Sequence, residues 1–247
     1  LTINTVTVVP NLVGAFFNFM YNLGEIQSSM PDAEPTFMRI MSIINMITFP
    51  TGILSAVFLT RSVTRATRTD EQAKLSATQL QERRRQCLQL GNLAANVGLT
   101  LWLIAAPAYP ILLHLFEGGV PASIYAHFVV SLTLCGLIAA AYPFFGVSMI
   151  AVRSFYPTLV QWDSMSKAEL PALRQLGRNL WFHLVLAASV PMLSVLILAL
   201  LSDRERRFAL VALAAGGTIG FATAVSMFRL VQQDLQVLIK FIERSDH

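Results

Sequence analysis

Six mostly apolar runs alternate with polar connections along the chain, each near the length that a bilayer-crossing helix requires. They extend roughly from Asn11 to Leu23, continuing toward Met30; Phe37 to Thr60; Leu93 to Phe116; Ile124 to Val152; Leu180 to Leu201; and Phe208 to Leu230. A span takes about 20 apolar residues, because the hydrocarbon layer is about 30 Å thick and a helix rises about 1.5 Å per residue. The first run is the weakest, interrupted by Asn18 and Asn22. The pattern predicts an all-α polytopic membrane protein with a six-transmembrane-helix bundle over residues 1–230. Composition agrees: 55% hydrophobic and 13% charged residues, with a mean hydropathy of +0.59, exclude an ordinary soluble domain.

The sixth run loses its apolar character without losing its helical period. In FRLVQQDLQVLIKFIERSDH, from Phe228 to His247, the residues Val231, Leu235, Leu238 and Ile242 follow at steps of four, three and four. That spacing lines one side of a helix and suits a partner helix, while Gln232, Gln233, Gln236, Lys240 and Glu243 occupy other faces. Residues 231–247 therefore read as the start of a helix fused to the last span that can transmit its movement, with those four positions as a seam for a partner helix. A helix lying on a surface would show the same period over about two heptads.

Read in pairs, the spans show a weak repeat. Each odd span opens with Asn-Leu, at Asn11, Asn92 and Asn179, and each even span closes on Arg61, Arg153 or Arg229. Three repeated hairpins explain this. So does common boundary chemistry, since Arg snorkels at helix ends and Asn caps helices.

Charge sets the expected orientation. The connection after the second span carries Arg61, Arg65, Arg68, Lys74, Arg83, Arg84 and Arg85, and the one after the fourth carries Arg153, Lys167, Arg174 and Arg178. Glu25, Asp32, Glu34 and Glu117 occupy the first and third connections, which have no Lys or Arg. By the positive-inside rule the basic loops and both chain ends face the cytoplasm, in a multi-pass protein of the cell inner (plasma) membrane. The basic stretch from Asp203 to Arg207 dissents. The net charge of +4 is then a product of topology and gives no reason to invoke nucleic acid.

The polar connection Thr67 to Gln89 is expected to be helical, with Asp70 as its N-cap, and Ser166 with Glu169 has the form of a capping box. Cys87 falls in this polar loop and Cys135 mid-span, so no disulfide is expected. No phosphate loop, HExxH or nucleophile elbow is present, so the segment offers no catalytic constellation and calls for no cofactor. Pro50, Pro107, Pro110, Pro143 and Pro191 punctuate the spans, and Ala212, Gly216 and Gly220 form a small-residue face suited to close helix packing.

Polar groups inside a membrane are costly and mark function or interhelical bonding. Asn4, Asn11 and Asn18 recur every seven residues, with Asn22 and Glu25 continuing the face outward. An ion pair of Glu25 with Arg39 is expected to close the first hairpin. The candidate ligand-binding cluster is Asn22, Glu25, Arg39, His114, Glu117, Tyr125 and His127. His114, Glu117 and His127 are residue types that bind metal, but two histidines from different helices do not make a metal site by themselves. His183 is expected to be a hydrogen-bonded packing residue.

The exit stretch resembles the first helix of a HAMP domain, the parallel four-helix linker that follows the last transmembrane helix of bacterial receptors. Asp234-Leu235 stands where that family has Pro-Leu, and the chain stops about where its Gly-Asp-Leu turn would begin. Starting at Leu1 with no initiator Met, the sequence is expected to be a segment of a longer chain. With six spans and basic inner loops, the whole resembles the membrane domain of bacterial HAMP-containing class III adenylate/guanylate cyclases. The resemblance implies a homodimer and a sensor or anchor that relays a signal from an unknown small-molecule or lipid ligand to a cytoplasmic cyclase. A histidine kinase or phosphatase output fits equally, and a transporter or permease subunit is the competing class.

Overall fold

The computed structural model describes residues 3–67, 72, 75–160, 169–201 and 207–244, and among them every regular element is helical. The helices are α1 (Ile3–Ser29), α2 (Glu34–Ala66), α3 (Ala77–Glu117), α4 (Ala122–Ile150), the short α5 (Tyr156–Leu159), α6 (Leu170–Leu201) and α7 (Arg207–Arg244). Five of the described helical segments are long and apolar enough to cross a membrane: α1, α2, α3, α4 with its extension through α5, and the part of α7 from Ala214. The fifth predicted run lies within α6, whose far end falls partly outside the described side chains.

Several helices outrun a bilayer. At 41 residues α3 is about 60 Å long, roughly twice the hydrocarbon thickness. The polar stretch before the third span is thus helical, as expected, and continuous with the span itself. Its cap is Ser76, however, whose hydroxyl accepts from the Gln79 N–H at 3.3 Å while its own N–H donates to Gln79 Oε1 at 2.9 Å. Asp70, the expected cap, lies outside the described residues. At the other end of α3, Gly118 adopts φ +73°, a left-handed conformation that suits glycine and turns the chain into α4.

The prolines do not break the bundle: Pro10, Pro50, Pro107, Pro110, Pro143 and Pro191 all sit inside continuous helices. The irregular turn is elsewhere. Residues Ala151–Phe155 form one π-helical turn, in which the Tyr156 N–H reaches the Ala151 carbonyl.

Helix α4 is the most deeply buried of the candidate spans and packs against α1, α3, α6 and α7. Around it the core divides in two. One cluster, built on Phe37, Tyr109, Ile124 and Phe128, holds α1 to α4 together at the end bearing Glu25, Asp32 and Glu117. The other runs through the middle and out to the opposite end, which carries Arg61, Arg65, Arg83, Arg153 and Arg174. We call these the acidic and basic ends.

The exit helix departs most from the sequence reading. Val231, Leu235 and Ile242 are buried inside the chain and Leu238 is half-buried against the same cluster. Their partner is α6, whose own buried Leu173, Leu176 and Leu180 follow at steps of three and four. The ion pair from Arg174 near the start of α6 to Glu243 near the end of α7, at 3.5 Å, fixes the two as antiparallel. The positions expected to line a parallel homodimeric seam are therefore covered by the chain's own α6.

Two glycines of the sixth run do mediate close packing, though not as the expected row. A Cβ at Gly220 would run into Tyr142 of α4, one at Gly217 would sit 3.0 Å from Pro191 of α6, and one at Gly216 would meet open space. Cys87, expected in a loop, is instead buried on α3, its thiol 3.5 Å from the Ala151 carbonyl. It and Cys135 are both free.

Candidate functional site

An elongated cavity of about 90 Å³, room for several waters or a slender ligand, lies between α1, α2, α3 and α4. It is lined along α1 from Thr7 to Asn22, a rise of about 22 Å, so it follows most of the membrane depth. Most of its wall is apolar or aromatic: Phe37, Tyr109 and Phe128 form a triangle with centroids 5.8 to 6.2 Å apart.

One stripe of the wall is polar. Asn11 Oδ1 accepts from Trp102 Nε1 at 2.9 Å, tying α1 to α3, and its Nδ2 donates to the Thr7 carbonyl at 2.8 Å. Asn22 donates to both the Asn18 side chain at 2.7 Å and its carbonyl at 2.8 Å, and accepts from Ser131 of α4 at 3.1 Å. Asn11 and Asn22 thus do what intramembrane amides do in bundles, joining helices by hydrogen bonds at the wall of a cavity; the side chain of Asn4 lies outside those described. Facing this ladder, Asn45 and Thr48 of α2 line the cavity with no side-chain hydrogen bond among the described residues.

The seven residues expected to bind a ligand divide into three sets. Asn22 is on the cavity wall. Glu25 and His127 meet just beyond it, with Oε2 and Nδ1 3.9 Å apart, Tyr21 stacked on the His127 ring at 4.9 Å, and Ser29 donating to Glu25 at 3.1 Å. His114 and Tyr125 form a separate edge contact at 6.0 Å, while His114, Glu117 and Arg39 are exposed. The expected Glu25 to Arg39 pair is thus replaced by Glu25 to His127. Among the described residues no three of His, Cys, Asp and Glu converge as metal ligands. His183 stacks face to face on Phe144 at 3.7 Å with its Nδ1 2.9 Å from the Asn179 carbonyl, a packing residue.

Sequence reading missed Asn45, Thr48 and Trp102. The signal was there for two of them, because Asn45 and Thr48 are one turn apart in an otherwise apolar run. What was missing is the rotation of α2 about its axis.

At the basic end a second polar assembly binds the connections to the bundle. Arg84 donates to Glu169 at 2.7 Å and to the Leu159 carbonyl at 2.8 Å, and Tyr156 donates to the other Glu169 oxygen. All three side chains are buried. The Glu169 carboxylate, expected in a capping box with Ser166, is committed to this group; Ser166 lies outside the described residues. Nearby, Arg153 of the π turn meets Asp234 of α7 at 2.6 Å. No protein-family model matches the chain, and no curated protein or solved structure resembles it.

Proposed function

We propose that this chain is the membrane sensor and anchor of a signal-transducing protein, taking an elongated, mostly apolar molecule with one or two hydrogen-bonding groups into the α1–α4 cavity. The observation that carries the reading is the course of α4. Its outer half walls the cavity through Phe128 and Leu132, and the π turn that extends it holds Asp234 of the exit helix through Arg153. Occupancy that turns or slides α4 would therefore move α7, an uninterrupted 38-residue helix.

The output in this reading is a cytoplasmic domain attached through the HAMP-like helix, with a nucleotide cyclase first and a histidine kinase or phosphatase second. The basic end faces the cytoplasm in the inner membrane. A homodimer, which such outputs require, has two routes on α7: the face bearing Gln233, Val237 and Lys240, all exposed, or release of the seam from α6.

The test fills the cavity. In a protein carrying Cys87→Ala and Cys135→Ala, single cysteines from Gln232 to Glu243 are labelled with a membrane-impermeant maleimide, with and without Thr48→Trp. A changed labelling pattern along α7 supports the relay; an unchanged one sinks it. Solute flux in proteoliposomes with α7 unmoved would favour the permease.

A further inference from the structure

The basic end holds a second crevice, of about 540 Å³, between the last turns of α2 and the first half of α3. Its lining is ordered by depth. Arg61 and Arg65, one turn apart on α2, and Arg83 on α3 sit toward the basic end, while Phe58, Leu59 and Leu93 line the part nearer the middle of the bundle. Phe58 is 75% exposed, an aromatic wall that the chain leaves largely uncovered.

The guanidinium groups are available. Arg83 donates to Gln86 Oε1 at 2.7 Å, and Ser62 of α2 donates to the same oxygen at 3.4 Å, so Gln86 joins the two helices at the crevice and holds Arg83 in place. One bond leaves most of that guanidinium's five donors unused. No carboxylate among the described residues pairs with Arg61 or Arg65, both exposed. Glu82 is near, accepting from Gln86 Nε2 at 3.2 Å, but it pairs with none of the three arginines among the described residues, and arginines that line one crevice without a paired acid favour an anion between them. Their planar donor forks match phosphate oxygens.

We infer that this crevice binds a phosphate-bearing anionic phospholipid of the leaflet at the basic end, with its phosphate among Arg61, Arg65 and Arg83 and an acyl chain along Phe58, Leu59 and Leu93. The order of charge and hydrocarbon along the crevice is that of a lipid standing in its own leaflet. A soluble anion would use the arginines alone and leave the apolar wall unexplained. The site is separate from the α1–α4 cavity and does not depend on the sensor reading.

Native mass spectrometry of the full chain from neutral detergent, with equimolar dioleoyl phosphatidylglycerol and dioleoyl phosphatidylcholine, tests this. The native protein should retain the anionic lipid over the zwitterionic one by about tenfold or more, several-fold for each arginine near the surface. R61Q/R65Q/R83Q should reduce that preference to about twofold, whereas R85Q/R178Q/R229Q, which removes equal charge from exposed positions outside the crevice, should keep it. Ser62→Trp obstructs the crevice without removing charge and should act like the first variant, so the result does not hang on one variant's folding. Equal loss in the control variant would reduce the effect to general surface attraction and overturn the site, as would equal retention of both lipids by the native protein. Displacement of the lipid by millimolar inorganic phosphate would overturn the lipid assignment in favour of a dissolved anion.

Discussion

Arg153 and Asp234 meet at 2.6 Å across the junction of α4 and α7, joining the π turn that extends one span to the helix that leaves the other. Both side chains are partly exposed, so the pair contributes little stability. Arg153→Ala should barely move the melting temperature yet raise maleimide labelling at a cysteine placed at Gln236 in the Cys-free protein. Exchange of the two charges, Arg153→Asp with Asp234→Arg, should restore the native labelling rate; failure to restore it would remove the pair from the relay.

The buried trio at the basic end should behave in the opposite way. Glu169→Ala leaves the Arg84 guanidinium buried without its carboxylate and should destabilise by about 3 to 5 kcal/mol. Replacing both charges at once, as Arg84→Met with Glu169→Leu, should cost far less. Thermal melts of the three proteins in one detergent decide it, and equal losses in the single and double variants would show that the ion pair itself is not what matters.

Two glycines offer a contrast in backbone approach. A Cβ at Gly91 would run into Ser148 Oγ and lie 2.9 Å from the Phe144 carbonyl, so Gly91→Ala should destabilise by about 1 to 3 kcal/mol through overpacking of α3 on α4. Gly24, in α1, has nothing within 4 Å of such a Cβ, and Gly24→Ala should gain roughly 0.4 to 1 kcal/mol. Melting temperatures that shift in the same direction would refute this packing.

Along the exit helix, Leu235→Ala should cost about 2 to 5 kcal/mol, and the half-buried Leu238 less, because α6 covers both within one chain. The destabilisation should be independent of protein concentration. A strong concentration dependence would mean that the seam is shared between chains.

In the cavity, Asn11→Leu and Asn45→Leu should separate. Asn11 bonds Trp102, and losing an interhelical bond of this kind costs about 0.6 kcal/mol on average and up to about 1.7. Asn45 has no such bond, so its replacement should leave melting unchanged and alter only how maleimide labelling of α7 responds to added membrane lipid extracts.

Five of the spans were legible in the sequence because apolar length is one-dimensional: among the described residues five predicted runs coincide with helical segments long and apolar enough to cross a membrane, and the remaining one, from Leu180 to Leu201, lies within α6. The seam was legible too, as a period, since Val231, Leu235 and Ile242 are indeed the apolar side of α7. Its partner was not. A stripe at steps of three and four fits any other such stripe, and Leu173, Leu176 and Leu180 were hidden at the foot of a polar connection. The amide ladder Asn11, Asn18 and Asn22 could be read from spacing alone, whereas Asn45 and Thr48 needed the rotation of α2, and the choice of His127 over Arg39 by Glu25 needed the tilt between helices. The partners of Cys87 and Glu169 were not legible because long helices carry a core beyond the apolar runs, so that a thiol and a carboxylate in polar sequence are buried there.

The π turn at Ala151–Phe155 is one residue longer than an α turn over the same rise, so it is equivalent to a single inserted residue. Deleting one residue there would let α4 continue as a regular helix with the parts on either side still facing as they do, because the wide turn spends one extra residue on about the same rotation. Winding all five residues as regular α-helix instead would turn Tyr156 about 100° away from Glu169. The wide turn thus acts as a phase shifter: it allows the part of α4 inside the bundle and its foot at the basic end to obey two different sets of neighbours, each in its own angular register.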